Sequence, residues 1–286
     1  MAEEHPLVYV ILVNWNGKAD TLECLSSLQK VHYSNARVLV VDNASSDGSV
    51  EAFRSQFPSV ELIENSVNVR FAGGNNVGIR HALERGAEYV LVLNNDTVVD
   101  AMVLDELIRT AESDPSIGMV GAKVLYYTDP QRIWFAGGRI HWWSGWIAHE
   151  GIREMDRRQH DIVKDVDYLT GCCILAKREV IEEIGLFDER FFMYGEDVDW
   201  CLRARRAGYR LVFQPKAKVW HKVSVSVGGH FSWFKNWNKL KSNLRLLWRY
   251  AKPYHWLTIP VGMLGRIAWG WFRAVKSHYN LGMKTR

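Results

Sequence analysis

Residues Val8–Gly17 read VYVILVNWNG. The first six are apolar without interruption, and four of them are β-branched. A run with no polar side fits a strand covered on both faces, and the amide-rich turn ending in Gly17 stops it. The same signal returns at Val38–Val41 (VLVV), Val60–Ile63 (VELI) and Tyr89–Leu93 (YVLVL). Between these runs lie Thr21–Lys30, Ser49–Phe57 and Asn75–Arg85, each long enough for a helix. This β-α-β-α-β-α-β order predicts a parallel sheet with right-handed crossovers. Ligands of such sheets bind beyond the carboxyl ends of the strands. The segments there are Asn14–Gly17, Asp42–Gly48, Glu64–Gly74 and Asn94–Asp96. Asn, Asp and Gly are ordinary turn residues in any one loop, but four such loops at one edge make a polar rim.

Beyond residue 125 the periodicity weakens. Trp134–Ile147 reads as strands around a Gly turn, and the charge-dense Glu150–Lys164 as a mobile loop. Ile174–Glu183 and Asp197–Ala207 read as helices, Arg210–Phe213 and Ala217–Trp220 as strands.

The 286 residues are 48% hydrophobic and 24% charged, which excludes disordered, collagen-like and disulfide-framework classes. The length suits one large domain with an appendage, or two small ones. Cys24, Cys172, Cys173 and Cys201 show no CxxC spacing and read as reduced thiols of a cytosolic protein. An N-terminus with two early acids and a six-residue apolar run lacks the features of an export signal. The net charge of +4 hides a strong asymmetry. Residues 200–286 hold 18 Lys and Arg and no acid, leaving the first 199 residues with 18 basic and 32 acidic side chains. An acidic body with such a tail is expected to meet a polyanion through the tail. Seven of the 13 tryptophans lie at or beyond Trp220, and Trp among basic residues favours a membrane surface. On a helical wheel Phe234, Trp237, Leu240, Leu244, Leu247 and Trp248 share an arc, opposite Lys235, Lys239, Arg245, Arg249 and Lys252. Trp256–Phe272 follows, with Pro260 and Arg266 inside it. It is short of the roughly 20 apolar residues of a spanning helix, so it is expected to lie in the interface.

Two groups of residues carry chemistry. A strand ending in Asn94-Asn95-Asp96 suits a divalent cation held together with a diphosphate, although Asp96 equally reads as a helix cap. Glu196, Asp197 and Asp199 lie within four residues after an aromatic run. They suit either a helix N-terminus or a general base whose pKa a neighbouring acid has raised.

The strings ILVNWNG, VVDNASSDGS, NVRFAGGNNVG, LVLNNDT, DYLTGCCILAKRE and GLFDERFFMYGEDVDWCLRARRAGY occur in this order. Together they resemble an inverting glycosyltransferase of family 2, with FAGGNN and FFMYGEDVD similar to its bacterial rhamnosyltransferase-like branch. The resemblance runs from Leu7 to Ser226. It implies an α/β fold of GT-A type, a Rossmann-like, mostly parallel sheet flanked by helices, with a C-terminal basic amphipathic helical extension. Residues 1–228 would form the glycosyltransferase domain and 229–286 the Trp-rich, membrane-associating segment.

The resemblance also implies roles. Asn14, Asp42, Asn43, Asp47, Arg70, Gly73, Gly74, Asn75, Asn76, Asn95 and Asp96 would line the nucleotide-sugar pocket, with Asp42 accepting from a pyrimidine base. Asp96 matches the last position of the D-x-D motif and would bind Mg2+ or Mn2+. His221 falls where a further metal or diphosphate ligand is often found; a lone His at a strand end is more often a structural residue. Asp197 would be the catalytic base, with Glu196 beside it. Two departures stand out: Asn94 replaces the first carboxylate of D-x-D, and Arg70 stands where close relatives usually show Gly. The implied reaction is a single displacement from a nucleoside-diphosphate sugar. The expected donor is dTDP-rhamnose and the acceptor a hydroxyl of a lipid-linked or cell-surface glycan, at the inner face of the cell membrane. A UDP-hexose transferase and a non-catalytic sugar-nucleotide-binding relative stay open, as does a homodimer. A dinucleotide-dependent oxidoreductase would need G-x-G-x-x-G where this chain has Asn14-Trp15-Asn16-Gly17. No nucleic acid partner is expected, because no recognition motif accompanies the basic tail.

Overall fold

The apolar runs of the first hundred residues become strands, and the segments between them helices, in the computed structural model, which describes residues 5–223 and 233–265. β1 (Val8–Asn14), α1 (Lys18–Leu28), β2 (Ala36–Asp42), α2 (Ser49–Gln56), β3 (Glu61–Glu64), α3 (Arg70–Glu84) and β4 (Tyr89–Asn94) follow in that order. β1 pairs in parallel with β2 and β4, and β2 with β3. Val8 to Leu12 are fully buried, as the unbroken apolar run demands of a strand with helices on both faces. β1, β2 and β4 therefore end together, at the edge that carries the polar loops.

The chain continues through β5 (Thr97–Val99), α4 (Val103–Glu112), β6 (Ile117–Tyr126), β7 (Ile133–Phe135), β8 (Gly138–His141), β9 (Trp146–His149), β10 (Lys164–Asp165), β11 (Cys173–Lys177), α5 (Arg178–Ile184), α6 (Glu196–Arg206) and β12 (Arg210–His221). The main sheet runs β10-β12-β6-β11-β4-β1-β2-β3, with β5 added on β12 and β7 on β6. β12 and β6 are parallel, and β11 lies antiparallel between β6 and β4. β8 and β9 form a separate hairpin.

Three expectations change. The helix expected over Ile174–Glu183 begins only at Arg178, because the apolar Cys173–Ala176 is buried as the strand β11 between β4 and β6. A short apolar run has no period that separates buried strand from buried helix. The two strands expected at Arg210–Phe213 and Ala217–Trp220 are one, β12, with a register shift between Gln214 and Lys218. Glu150–Lys164 is mostly irregular, as its composition implies, but it is tethered: the fully buried Lys123 ion-pairs with Asp156 at 3.0 Å and with Asp161.

The tail adds α7 (Trp233–Tyr250) and a 3-10 turn over Pro253–Leu257. The expected apolar arc of α7 divides. Leu247 is buried against the body, whereas Trp237, Leu244 and Trp248 are exposed. The side chains of Phe234 and Lys235, the division at 228/229 and the end of the resemblance at Ser226 lie outside the described residues, as does the expected interfacial stretch from Arg266 on. Among the described residues no helix is long and apolar enough to cross a membrane.

Candidate active site

The strand ends at the polar edge are tied together by one buried amide. Asn14 Nδ2 donates to Asp42 Oδ1 (2.7 Å) and Ser45 Oγ (3.0 Å), while its Oδ1 accepts from Thr21 Oγ1 (2.9 Å) and Asn95 Nδ2 (3.3 Å). Those four bonds use the whole capacity of the side chain, so Asn14 shapes the rim from within. Asp42 accepts the Ser45 N–H through its second oxygen (2.8 Å). Asn43 Nδ2 donates to the Arg70 carbonyl (3.1 Å), and Asn43 Oδ1 accepts from Asn65 (2.8 Å). Asp47 takes the N–H groups of Lys18 (3.0 Å) and Ser49 (3.1 Å), at the first turns of α1 and α2. Burial pushes its pKa up, but the bonds from Ser49 and the Lys18 backbone outweigh burial and hold it below the ordinary value. Trp15, on the turn after β1, is exposed.

α3 crosses this edge closely enough to need glycine. A Cβ on Gly74 would come within 2.7 Å of Val13 Cγ1, and one on Gly73 within 2.9 Å of Val69 Cβ. Asn76 reaches the opposite side of the site: its Nδ2 donates to the Phe187 carbonyl and to Glu189 Oε1, both at 2.9 Å, and its Oδ1 accepts the Phe187 N–H. Asn75 donates to the Phe71 carbonyl (2.9 Å), and its buried Oδ1 has no protein partner. Arg70 opens α3 at φ +66°, a left-handed conformation natural to glycine. Its N–H donates to Asn68 Oδ1 (2.8 Å). The Arg70 guanidinium lies 3.9 Å from the ring centroid of Phe192, in the loop that precedes Glu196.

β4 runs into Asn94-Asn95-Asp96, and the pairing of Thr97 with His221 carries β12 alongside. Asp96 Oδ1 and His221 Nε2 consequently stand 3.1 Å apart. The His221 ring packs edge-on against Trp134 at 4.8 Å, and its Nδ1 is buried without a partner. A carboxylate and an imidazole this close fit one divalent cation. Among the described residues no cluster of three or more His, Cys, Asp or Glu side chains is placed to hold a metal, so a diphosphate would have to complete the shell.

Tyr194 (φ +67°) and Gly195 (φ +88°) turn the chain into α6, which Glu196 and Asp197 open. Asp197 accepts the Gly171 N–H at 2.9 Å and the Val198 N–H at 2.8 Å. Glu196 Oε2 is buried without a partner. Burial raises both carboxyls, and the charge of Asp197 helps push Glu196 up to about 8. Backbone N–H donors favour the ionised form. Asp197 has those of Gly171 and Val198 besides its own, whereas Glu196 has only its own. Glu196 therefore holds a proton more readily than Asp197 does.

Two features escaped the sequence reading. Asn94 N–H donates to the Cys172 carbonyl (3.0 Å) while Gly171 N–H binds Asp197, so Thr170-Gly171-Cys172 joins the Asn-Asn-Asp turn to the acid pair. Its only sequence signal was the string DYLTGCC. The third acid, Asp199, faces away from the site: fully buried, it accepts from Arg203 Nε (2.9 Å), Arg249 Nη1 (2.8 Å) and the Tyr250 hydroxyl (2.7 Å). α7 also holds the preceding loop, through Ser242 Oγ donating to the Met193 carbonyl at 3.1 Å and Arg245 donating to the Arg190 carbonyl.

Residues 5–243 match the family described as Glycosyltransferase like family 2. The chain belongs to glycosyltransferase family 2. It is 27% identical over 243 residues to the N-acetylglucosaminyl-diphospho-decaprenol L-rhamnosyltransferase of Mycobacterium tuberculosis, a match covering 77% of each chain. It is 26% identical over 235 residues to the dTDP-rhamnosyl transferase RfbF of Shigella flexneri, covering 78% of this chain and 72% of that one. The solved structure of mannosyltransferase PcManGT from Pyrobaculum calidifontis, in complex with GDP-Man and Mn2+, matches 91% of this chain and 70% of its own. There the TM-score is 0.65 at 21% identity, a likeness of fold, and the fold is GT-A. As a family 2 glycosyltransferase the chain is an enzyme that transfers a sugar from a nucleotide-sugar donor.

Proposed function

We propose that this glycosyltransferase moves rhamnose from dTDP-rhamnose, with inversion, onto a hydroxyl of a lipid-linked or cell-surface glycan at the cytoplasmic side of an anionic membrane. The observation that carries the chemistry is the junction at Thr170–Cys172, which bonds the Asn-Asn-Asp turn on one side and Asp197 on the other. A cation-binding turn and a base one short segment apart suit a displacement at the carbon between a diphosphate and an attacking hydroxyl. Asp197 takes the proton of the acceptor hydroxyl as its oxygen bonds the anomeric carbon. The bond to the diphosphate breaks on the opposite face, so one step inverts the centre. Glu196, protonated beside it, adds no second negative charge and leaves a single carboxylate facing the acceptor. Asp96 and His221 would hold Mg2+ or Mn2+, whose charge when bound offsets that building on the departing diphosphate. The choice of rhamnose is supported by the two relatives named for it, and that of the membrane by the basic, Trp-rich tail.

A thermal-shift panel of dTDP, UDP, GDP and ADP, each with and without Mn2+, tests the donor. A ligand at 100 times its Kd adds roughly 2.7 kcal/mol. dTDP is expected to raise the melting temperature only with Mn2+, and Asp96→Ala to abolish the effect. A larger shift with UDP would replace the donor assigned here, and the absence of any shift would count against a formed donor site.

A further inference from the structure

We infer that the catalytic body shares in a lipid-facing surface. The tip of the β8–β9 hairpin and the C-terminal segment make one aromatic, positively bordered face that beds into the headgroups of an anionic membrane. This rests on the membrane reading above and adds to it a part of the body that the tail's composition does not reveal.

The hairpin turns over between His141 and Trp146, and its Trp143 is 59% exposed. The tip is latched onto the tail. Thr258 Oγ1 donates to the Trp143 carbonyl (2.6 Å), and Trp142 stacks on the buried His255 with ring centroids 6.0 Å apart. Gly145 backs onto Leu247 and Ile259, where a Cβ would meet them at 3.0 and 3.3 Å. Two more aromatic pairs follow this latch. Trp143 meets Tyr254 at 5.6 Å, and Trp256 meets Trp248 at 6.0 Å. Trp248 is 82% exposed and Leu257 79%. Val261 and Leu264 follow Leu257 at helical spacing and are exposed too. On α7, Trp237, Lys241, Leu244 and Trp248 recur at intervals of four, three and four, which is one side of a helix.

Large apolar side chains left in water forfeit about 25 cal/mol per Å² that burial would return, and a contiguous set marks a contact surface. Its border decides the partner. Lys241 lies 5.2 Å from the Trp237 ring and Lys252 5.8 Å from that of Tyr254, and no acid occurs from residue 200 to 286. Trp and Tyr among cations of one sign match the headgroup layer of an anionic leaflet. A second copy of the chain matches poorly, because a twofold contact would press two positively bordered faces together.

The test is sedimentation of the full chain with vesicles of phosphatidylcholine alone or with phosphatidylglycerol. It compares the wild type, the hairpin variant Trp143→Ser/Trp146→Ser and the tail variant Trp248→Ser/Leu257→Ser. Melting temperature and the nucleotide-induced shift serve as controls for folding. The wild type is expected to pellet with the anionic vesicles, and each double variant to bind about tenfold less or weaker, with its nucleotide response intact. A hairpin variant that pellets like the wild type overturns the inference and leaves the tail-borne membrane reading standing. A wild type that pellets with neither vesicle overturns both. A wild-type dimer that the same variants dissolve assigns the face to a second copy and overturns the lipid partner.

Discussion

Arg249 Nη1 lies 2.8 Å from Asp199 Oδ1, which bonds the last turn of α7 to the helix that begins with Glu196 and Asp197. Helix α7 is thus part of the unit that presents the acid pair. Asp199→Asn keeps the shape but removes the charge that Arg203 and Arg249 face, and breaking such a buried pair costs about 3–5 kcal/mol. Arg249→Ala is milder, about 1–2 kcal/mol, because Arg203 and Tyr250 still satisfy Asp199. In the Arg249 variant kcat is expected to fall several-fold with the KM for donor unchanged, since the helix it steadies carries the acids and not the nucleotide rim. Melting curves and steady-state kinetics check both. Wild-type kcat in Arg249→Ala would detach α7 from the catalytic unit.

The acid pair sets a pH signature. Asp197→Asn is expected to lower kcat by 10²–10⁴-fold, the usual worth of a positioned base, with nucleotide-induced stabilisation preserved. Glu196→Gln keeps the base and removes the ionisation near 8. The folded pKa of Glu196 is raised, so its contribution to stability is full below its unfolded pKa near 4.5 and is lost as pH rises through about 8. Relative to Glu196→Gln, the wild type should therefore lose melting temperature between pH 5 and 9. Parallel pH–melting curves for the two proteins would contradict the assignment.

Asp96 and His221 make the metal dependence testable apart from turnover. Removing divalent cations with a chelator is expected to abolish both activity and stabilisation by a nucleoside diphosphate, and added Mn2+ to restore both. His221→Ala leaves one protein ligand and should weaken Mn2+-dependent nucleotide binding roughly 10–100-fold, a typical span for disturbing a metal site. Titration calorimetry of the nucleoside diphosphate with and without Mn2+ reads this directly. A His221 variant that keeps wild-type affinity would restrict that ring to packing on Trp134.

How far the sequence could be read depended on whether a residue's role is local. β1 to β4 and the helices between them were legible because unbroken β-branched runs and turn residues are local signals. β11 was misassigned because Cys173–Ala176 is an apolar run whose neighbours β4 and β6, and not its own pattern, make it a strand. The tether of Glu150–Lys164 was invisible, since Lys123 sits in another element and nothing in its flanks marks it as buried. The three acids of EDVD were indistinguishable in sequence. They separate only when Gly171 meets Asp197 while Arg249 and Tyr250 meet Asp199. The period of α7 marked an amphipathic helix, but not which side of its stripe docks on the body.

The closeness of α3 to β1 yields a prediction that involves no chemistry. A Cβ on Gly74 would fall 2.7 Å from Val13 Cγ1, closer than real Cβ contacts come, and a tight 3.1 Å from Cγ2. Gly74→Ala therefore has to push α3 off the sheet, at about 1–3 kcal/mol, even though Ala is the better helix former by roughly 1 kcal/mol. Val13→Ala removes both methyls that clash. The double variant Gly74→Ala/Val13→Ala should then be more stable than the two single losses added together predict, with a coupling of about 1 kcal/mol or more. Denaturant midpoints of the four proteins measure this. If the two losses simply add, the glycine serves something other than the fit of the helix against β1, and the pocket-lining role implied by FAGGNN gains weight. If they couple, tight packing of α3 also fixes Asn43 beneath the Arg70 carbonyl and Asn76 against Phe187, and both sides of the site depend on the same absent side chain.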